Sequence, residues 1–166
     1  MLIIVKEVFI IESKTVQQSK IVIGSIMEPE QANIHGNVHG GEIMKIMDNA
    51  AGIVSMKHAR ANVVTARVDR LEFHLPIHIG SFVNCKGEIT FVGNSSMEVL
   101  VTVMVEDLKK DDAPKIALTG YFTTVALDRN GRPTVVPKLE ITNDEERRLF
   151  EEGKKRYMEY RESKRN

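Results

Sequence analysis

The strongest constraint on the fold is a long helix-forming segment that covers about residues 38–59. It contains no proline and only one interior glycine, Gly52, and a polar exit follows at residues 60–62. When its residues are placed at intervals of 100°, one side is apolar: Ile43, Met47, Ala50 and Val54. We expect this side to pack against a sheet.

Three of the segments that follow this helix alternate apolar and polar residues with the period of two that is typical of strands. In total, the predicted strands cover residues 19–26, 63–75, 83–91, 97–105 and 116–127. The alternation slips by one near Asp69, which predicts a bulge, and Gly93-Asn94 predicts a tight turn. One long helix and about five strands predict an α+β domain, in which an antiparallel sheet wraps around the helix.

The 166 residues are enough for one domain with its own core. We divide the chain into an N-terminal extension (residues 1–15), a folded domain (residues 16–140) and a charged C-terminal helix (residues 141–166). In the last segment, Thr142 and Glu145 have the spacing of a capping box. A stripe of this helix carries Phe150, Gly153, Tyr157 and Tyr160. The stripe fits two interpretations, contact with a partner or light packing of a solvated helix.

Charge and cysteine content narrow the function classes. Lysine plus arginine number 23, as do aspartate plus glutamate, so the net charge gives no sign of nucleic-acid or membrane binding. The one cysteine, Cys85, rules out an internal disulfide and suits a reducing compartment, so we expect a cytoplasmic protein in which Cys85 is a buried hydrophobic residue. Lys6 and Glu7 interrupt the apolar N-terminus, which is too short for a signal peptide or membrane span and which we interpret as a strand or irregular extension.

The other side of the long helix is polar and consists mostly of small residues: Gly41, Lys45, Asp48, Asn49, Gly52 and Ser55. Glycine and serine allow another backbone or a thin ligand to approach closely. Asp48 has many apolar neighbours in the sequence. Because burying a carboxylate costs free energy unless it is paired, Asp48 is a candidate functional residue.

The turn before the helix carries Asn37 and the pair Gly40-Gly41. Free N–H groups at a helix N-terminus can stabilise an oxyanion, but the two glycines fit a tight helix entry equally well. Asn37 and Asp48 are 11 positions apart, so about 12–15 Å separates them along one helix. We therefore predict that a site using both residues is shared between antiparallel helices of two chains in a two-fold dimer.

Other chemistries find less support in the sequence. His35 and His39 are four positions apart, but no third ligand completes a set, so we predict no metal site. The sequence has no nucleophile elbow, P-loop or dinucleotide-binding motif.

Several motifs occur in order along the chain: Gly36-Asn37-Val38-His39-Gly40-Gly41, Met44-Lys45-Ile46-Met47-Asp48, Arg70-Leu71-Glu72-Phe73 with Pro76 and Gly80, and Val92-Gly93-Asn94-Ser95-Ser96-Met97-Glu98-Val99. In this combination the chain resembles the hot-dog-fold acyl-CoA thioesterases, above all the cytosolic acyl-CoA hydrolases and their single-domain bacterial relatives. The resemblance covers about residues 19–138 and leaves out both ends.

This resemblance implies a hot-dog fold, in which an antiparallel sheet wraps a long helix, and a homodimer that assembles further into a trimer of dimers. It also implies hydrolysis of fatty acyl-CoA to free CoA and fatty acid, without a metal or other cofactor. The family's helix aspartate acts as a general base or nucleophile, and the asparagine of the pre-helix loop assists it. By resemblance, these roles fall on Asp48 and Asn37, and the Gly41 N–H is our candidate for polarising the carbonyl.

Binding of the CoA phosphates calls for basic side chains near the entrance of such a site. The candidate substrate contacts are Gly40 and His39 at the helix start, Ser95 and Ser96 on a neighbouring strand, and the basic residues Lys57, Arg60, Arg67, Arg70 and Lys138. The basic residues also fit ordinary surface charges, and the serines fit a turn. Two alternative functions stay open: a non-catalytic hot-dog module that senses acyl-CoA, and a hot-dog dehydratase, although no histidine is in register with Asp48.

Overall fold

The chain folds around α2 (Gly40–Ala59), in a computed structural model that describes residues 13–164. The other helices are α1 (Val16–Ser19) and α3 (Asp144–Ser163). The strands are β1 (Lys14–Thr15), β2 (Ile21–Ile26), β3 (Asn62–Phe73), β4 (Phe82–Val92), β5 (Ser96–Glu106), β6 (Lys115–Leu127) and β7 (Leu139–Glu140). β2 to β6 form one antiparallel sheet in the order β2-β4-β5-β6-β3. This arrangement confirms the predicted α+β architecture.

The predicted apolar side of α2 is the side that packs on the sheet. Ile43, Met47, Ala50 and Val54 are all buried in the main hydrophobic core. Gly87 on β4 allows close contact, because a Cβ atom there would lie 2.9 Å from Val54 Cγ2. Arg60, with a left-handed φ of 53°, ends the helix by donating its N–H to the Met56 carbonyl.

Ser55 is an exception, because we expected it on the open polar side of α2 and it is fully buried. Its hydroxyl lies 2.7 Å from Thr124 Oγ1 on β6. This hydrogen bond satisfies both hydroxyl groups, so a small polar side chain can lie within the helix–sheet contact. The buried side of α2 therefore includes more residues than the four apolar positions that the sequence pattern indicated.

Bulges in β3 decide which side chains face α2. Thr65 pairs with Thr124, whereas Arg67 pairs with Thr123, so β3 has one extra residue between them. A second irregularity lies between Asp69 and Glu72, where the sequence predicted a bulge. Because successive residues of a strand point to opposite faces, the first bulge turns Arg67 to the face of the sheet opposite to that of Thr65.

Helix α3 packs on the outer face, which we define as the face of the sheet that points away from α2. The Phe91 ring contacts the rings of Phe150 and Tyr157, with 5.2 Å between centroids in each case. The buried Arg156 guanidinium bonds to both carboxylate oxygens of Glu98 on β5, at 2.9 and 2.8 Å. The interpretation of a lightly packed, solvated helix is therefore wrong.

The cap of α3 also lies one residue later than the sequence predicted. The Asn143 side chain, not that of Thr142, accepts the backbone N–H of Glu146 at 2.9 Å. The Glu146 carboxylate accepts the Thr142 N–H at 2.8 Å in return. The predicted capping box of Thr142 and Glu145 is therefore wrong: Asn143 caps the helix, and Glu146 bonds to the residue before the cap.

The first described residues pair with the end of the folded domain, because β1 runs parallel to β7. Lys14 Nζ donates to the carbonyls of His58 at 2.6 Å and Lys57 at 3.2 Å, and thereby caps the C-terminal end of α2. The strand or irregular extension predicted for residues 1–11 lies outside the described residues. Neither of the two 20-residue helices within residues 13–164 is apolar enough to cross a membrane.

Candidate functional site

Asp48 lies on the exposed side of α2, beside strand β3. Thr65 Oγ1 donates a hydrogen bond of 2.7 Å to Asp48 Oδ1. This bond orients one carboxylate oxygen and leaves the other free for a further donor. Sequence reasoning missed Thr65, because a threonine within an alternating strand carries no signal of a contact 17 positions away.

A surface recess of about 490 Å³ surrounds this carboxylate. It is lined by Ile23, Asp48, Asn49, Gly52, Ile53, Met56, Val63, Val64 and Thr65. Three of the apolar lining side chains are exposed in the single chain: Ile53 at 37%, Met56 at 44% and Val64 at 47%. A carboxylate that lines a recess beside apolar side chains can act on a polar group of a largely apolar ligand.

The loop before α2 carries two asparagines with different contacts. Asn33 Oδ1 accepts the backbone N–H groups of His35 at 2.8 Å and Asn37 at 3.2 Å. Asn37 Oδ1 lies 2.8 Å from His78 Nδ1. Sequence reasoning selected Asn37 and did not select Asn33.

Both asparagines line a second recess, of about 210 Å³, together with Phe73, Leu75 and Pro76. This recess and the recess around Asp48 have no lining residue in common. Within one chain, Asn37 and Asp48 therefore line separate recesses. This agrees with the separation that the helix geometry predicted.

The first turn of α2 differs from the open oxyanion site that the sequence suggested. The Gly41 N–H donates to His39 Nδ1 at 3.0 Å, so the imidazole caps the helix. Gly40 lies against the Phe73 ring, since a Cβ atom on Gly40 would come within 3.0 Å of it. The proposed carbonyl-polarising N–H thus already has an acceptor, which is an exposed side chain.

Two predicted substrate contacts lie on the outer face, away from Asp48. The Arg67 guanidinium stacks on the Tyr160 ring of α3 at 3.7 Å and pairs with Asp69. Ser96 follows the β4–β5 turn, and its hydroxyl lies close to Gly93 beside the Tyr157 ring. Within one chain, these two residues therefore do not lie beside Asp48. The bulge after Thr65 and the strand alternation turn them to the opposite face.

The remaining predicted contacts are dispersed. Lys57 and Arg60 lie at the C-terminal end of α2, and Arg60 lines a recess of about 780 Å³ that shares Met56 with the Asp48 recess. Lys138 is exposed beside β1, where its carbonyl accepts the Lys14 N–H. Arg70 is exposed at the second β3 bulge with φ 48°. At the β4–β5 turn, the backbone carbonyl of Ser95 accepts the Ala126 N–H. Only Arg60 therefore adjoins the carboxylate recess.

Metal-binding and thiol chemistry find no support in the described part of the chain. No three metal-binding side chains among residues 13–164 converge on one point. Burial raises the pKa of the Cys85 thiol to about 12, which keeps it protonated and unreactive at neutral pH. Burial lowers the pKa of His58, whose Nε2 lies 2.9 Å from the Pro137 carbonyl oxygen.

The sequence of this chain is similar to sequences of known families and proteins. Residues 35–111 match the thioesterase superfamily. The cytosolic acyl coenzyme A thioester hydrolase of Mus musculus is 38% identical over 94% of this chain, which spans only 41% of that protein. A Bacillus subtilis (strain 168) protein, named as an uncharacterized acyl-CoA thioester hydrolase, is 36% identical over 93% of this chain and 90% of its own length.

Solved structures agree closely with this fold. The acyl-CoA hydrolase of Staphylococcus aureus, in complex with butyryl coenzyme A, coenzyme A and coenzyme A disulfide, is 33% identical, with a TM-score of 0.84 over 92% of each chain. An apo hexameric acyl-CoA thioesterase is 31% identical, with a TM-score of 0.87 over 92% of this chain and 97% of that one. The Staphylococcus aureus hydrolase is also known with one aspartate, one asparagine or one threonine changed to alanine.

Proposed function

The chain belongs to the thioesterase superfamily, and we propose on this basis that it hydrolyses fatty acyl-CoA to free coenzyme A and a fatty acid. The observation that carries the proposal is the Asp48 carboxylate, which Thr65 Oγ1 orients at 2.7 Å in an apolar-walled recess. Such a recess suits an acyl chain, and the carboxylate suits the thioester at its end. A basic residue, Arg60, lines the adjoining recess, where the CoA phosphates would find a cation.

Asp48 acts as the general base in this reaction. It accepts a proton from water, the water oxygen attacks the thioester carbonyl carbon, and the C–S bond breaks to release the CoA thiolate, which takes up the proton. Direct attack by Asp48 would instead form a mixed anhydride. A single turnover in ¹⁸O-labelled water can identify the anhydride route, because the label enters the Asp48 carboxylate only when water attacks the aspartyl carbonyl of the anhydride.

The amide partner that we propose for Asp48 is Asn33, not Asn37. In the Staphylococcus aureus hydrolase, the replaced asparagine lies 15 positions before the replaced aspartate, and the replaced threonine lies 17 positions after it. In this chain the same spacings relate Asp48 to Asn33 and Thr65. Two backbone N–H groups hold the Asn33 oxygen, which leaves its Nδ2 group to donate to a carbonyl or a water.

We further propose that each site is shared by two chains of a homodimer. The asparagine recess and the Asp48 recess are separate within one chain, so one chain supplies the carboxylate and its partner supplies the loop. The exposed apolar side chains around Asp48 would then be covered by the second chain. Assembly of such dimers into a hexamer follows the hexameric relative. Hydrolysis by this route uses water and side chains, needs no cofactor, and fits a protein of the cytoplasm.

Thiol release from a panel of acyl-CoA esters of increasing chain length tests the activity. We expect turnover by the unaltered protein and a loss of at least about 100-fold in Asp48→Asn. Asp111→Asn, an exposed aspartate of the β5–β6 loop, is the matched control and should retain full activity. Absence of turnover at every chain length would leave the alternative, an acyl-CoA-binding sensor, which calorimetric titration with acyl-CoA would then identify.

A further inference from the structure

In the first turn of α2, two acceptors compete for one backbone N–H group, that of Gly41. The Gly41 N–H donates to His39 Nδ1 at 3.0 Å in the chain without ligand. The same N–H is the group expected to bind the thioester carbonyl oxygen as negative charge develops there. One N–H directed at a single acceptor cannot serve a second acceptor at full strength.

We propose that His39 is a displaceable cap, whose imidazole holds the Gly41 N–H in the free protein and must rotate away before the thioester oxygen takes that bond. The inference rests on the proposed function. It makes His39 a positioning residue, because its effect on the reaction acts through the Gly41 N–H. The substrate carbonyl and the imidazole are then alternative caps of one helix.

The surroundings of His39 permit this exchange. The side chain is exposed, and no residue in the described range 13–164 other than Gly41 hydrogen-bonds to its ring. Rotation therefore breaks one hydrogen bond and moves the ring into solvent. A carbonyl oxygen that replaces Nδ1 satisfies the same donor, so the helix end keeps a cap throughout.

Glycine at position 41 fits the same picture. A Cβ atom there would lie 3.1 Å from His39 Nδ1 and 3.3 Å from His39 Cε1, so a larger residue would crowd the ring in its capping position. On the neighbouring side, the Phe73 ring approaches Gly40. The helix end thus lies between the Phe73 ring and the exposed imidazole of His39, which is the group that occupies the Gly41 N–H.

A series of caps at position 39 tests the inference. His39→Phe keeps an aromatic ring but removes the acceptor, whereas His39→Asn supplies a stronger helix cap. We expect kcat/KM for acyl-CoA to rise about 2- to 10-fold in His39→Phe and to fall by a similar factor in His39→Asn. Thermal stability should change in the opposite order, with His39→Asn the most stable and His39→Phe the least.

This opposition between activity and stability is the decisive readout. If His39 is only a structural cap, His39→Phe lowers Tm without raising kcat/KM, and the inference is overturned. If the imidazole instead binds substrate directly, both variants lose activity, and the inference is overturned as well. If His39→Phe does not fold, His39→Asn alone still tests the inference. An unchanged or higher kcat/KM in His39→Asn would then contradict the exchange of the imidazole for the substrate carbonyl.

Nuclear magnetic resonance gives a second readout that does not depend on turnover. The probe is an acyl-CoA analogue in which a methylene group replaces the thioester sulfur, so that its ketone binds but is not hydrolysed. We expect the His39 Nδ1 nitrogen signal to move to the position of a free imidazole when the analogue saturates the protein, while the Gly41 amide signal shifts. If the analogue saturates and Nδ1 stays bonded, this inference fails although the proposed function stands. If the protein neither binds nor hydrolyses acyl-CoA, the proposed function fails too.

Discussion

The contact between α3 and the sheet gives a stability prediction whose size follows from the structure. Arg156 and Glu98 are buried, with side-chain exposures of 7% and 6%, and they form two hydrogen bonds of 2.9 and 2.8 Å. Burial alone lowers the pKa of Arg156, but the bonds to Glu98 and its charge more than offset burial and raise that pKa overall. The Arg156 guanidinium therefore stays charged, and in the buried contact Glu98 is its counter-ion.

Replacing Arg156 by methionine fills the same space but leaves the Glu98 carboxylate buried without its counter-ion. Thr90 Oγ1 still donates to Glu98 Oε1 at 2.6 Å. The carboxylate then accepts this one side-chain hydrogen bond, whereas it accepts three when Arg156 is present. Breaking a buried ion pair from one side costs about 3–5 kcal/mol. For a chain of this size, that cost lowers Tm by roughly 6–20 °C.

The double variant Arg156→Met with Glu98→Gln distinguishes this cause from lost packing. A neutral amide needs no counter-ion and still accepts the Thr90 hydroxyl, so we expect the double variant to recover most of the loss. The control is Arg148→Met, which breaks two exposed ion pairs on the same helix, to Glu145 and Glu152. Exposed pairs contribute little, so its Tm should change by less than about 2 °C.

Urea and thermal unfolding, followed by circular dichroism at one fixed protein concentration, measure all three variants. A fixed concentration is needed because assembly raises the apparent stability. Arg156→Met as stable as Arg148→Met would refute the reasoning. A double variant as unstable as Arg156→Met would also refute it, because the loss would then come from packing and not from an unpaired charge.

Three further predictions concern the core, a buried histidine and the site. Gly87→Ala should lower stability by about 1–3 kcal/mol in urea unfolding, because its Cβ atom would meet Val54 at 2.9 Å; unchanged stability would contradict the tight contact. Burial lowers the pKa of His58, so the unfolded chain binds its proton more readily, and stability should fall below about pH 6.5 by up to about 1.4 kcal/mol per pH unit. His58→Gln should flatten this slope in parallel unfolding curves, and an equal slope in both proteins would rule out His58 as its origin. Thr65→Val should lower kcat for acyl-CoA by about 10-fold with little change in Tm, since it removes the bond that orients Asp48; equal kcat would show that this bond is not needed.

The helix and the sheet were predictable because their periodicities are local. Ile43, Met47, Ala50 and Val54 recur with helical spacing, and burial against one sheet is the physical consequence of that spacing. The slip near Asp69 was visible for the same reason, since a bulge changes the parity of a strand within a few residues. The first β3 bulge, after Thr65, left no such trace, and with it the side on which Arg67 lies was missed.

Contacts between distant residues were not predictable from the pattern. Arg156 and Glu98 are 58 positions apart, one in a charged helix and the other at a polar position of an alternating strand, so nothing local distinguishes their buried bond from ordinary surface charges. Asp48 was identified because a carboxylate inside an apolar helix is unusual. Its partner Thr65 was missed, because threonine is common in strands.

The residues before and at the start of α2 include features that the sequence predicted and contacts that it did not. The glycine pair was interpreted either as a source of free N–H groups or as a tight helix entry, and nothing in the sequence indicated that the His39 imidazole would accept the bond from Gly41. The loop was predicted to carry a functional asparagine, yet Asn33 and Asn37 differ only in contacts made after folding. Local sequence therefore identified the region, and the tertiary contacts determine which atoms in it are free to react.

In the proposed dimer, each active site combines Asp48 of one chain with the pre-helix loop of its partner. Asp48→Asn and Asn33→Ala, each weakly active alone, are mixed in equal amounts, and native mass spectrometry verifies that subunits exchange. Half of the dimers are then mixed, and one of their two sites contains both unaltered residues, so thiol release should recover to about one quarter of the activity of the unaltered protein. If subunits exchange and activity does not exceed the sum of the two variants measured separately, the shared site is contradicted.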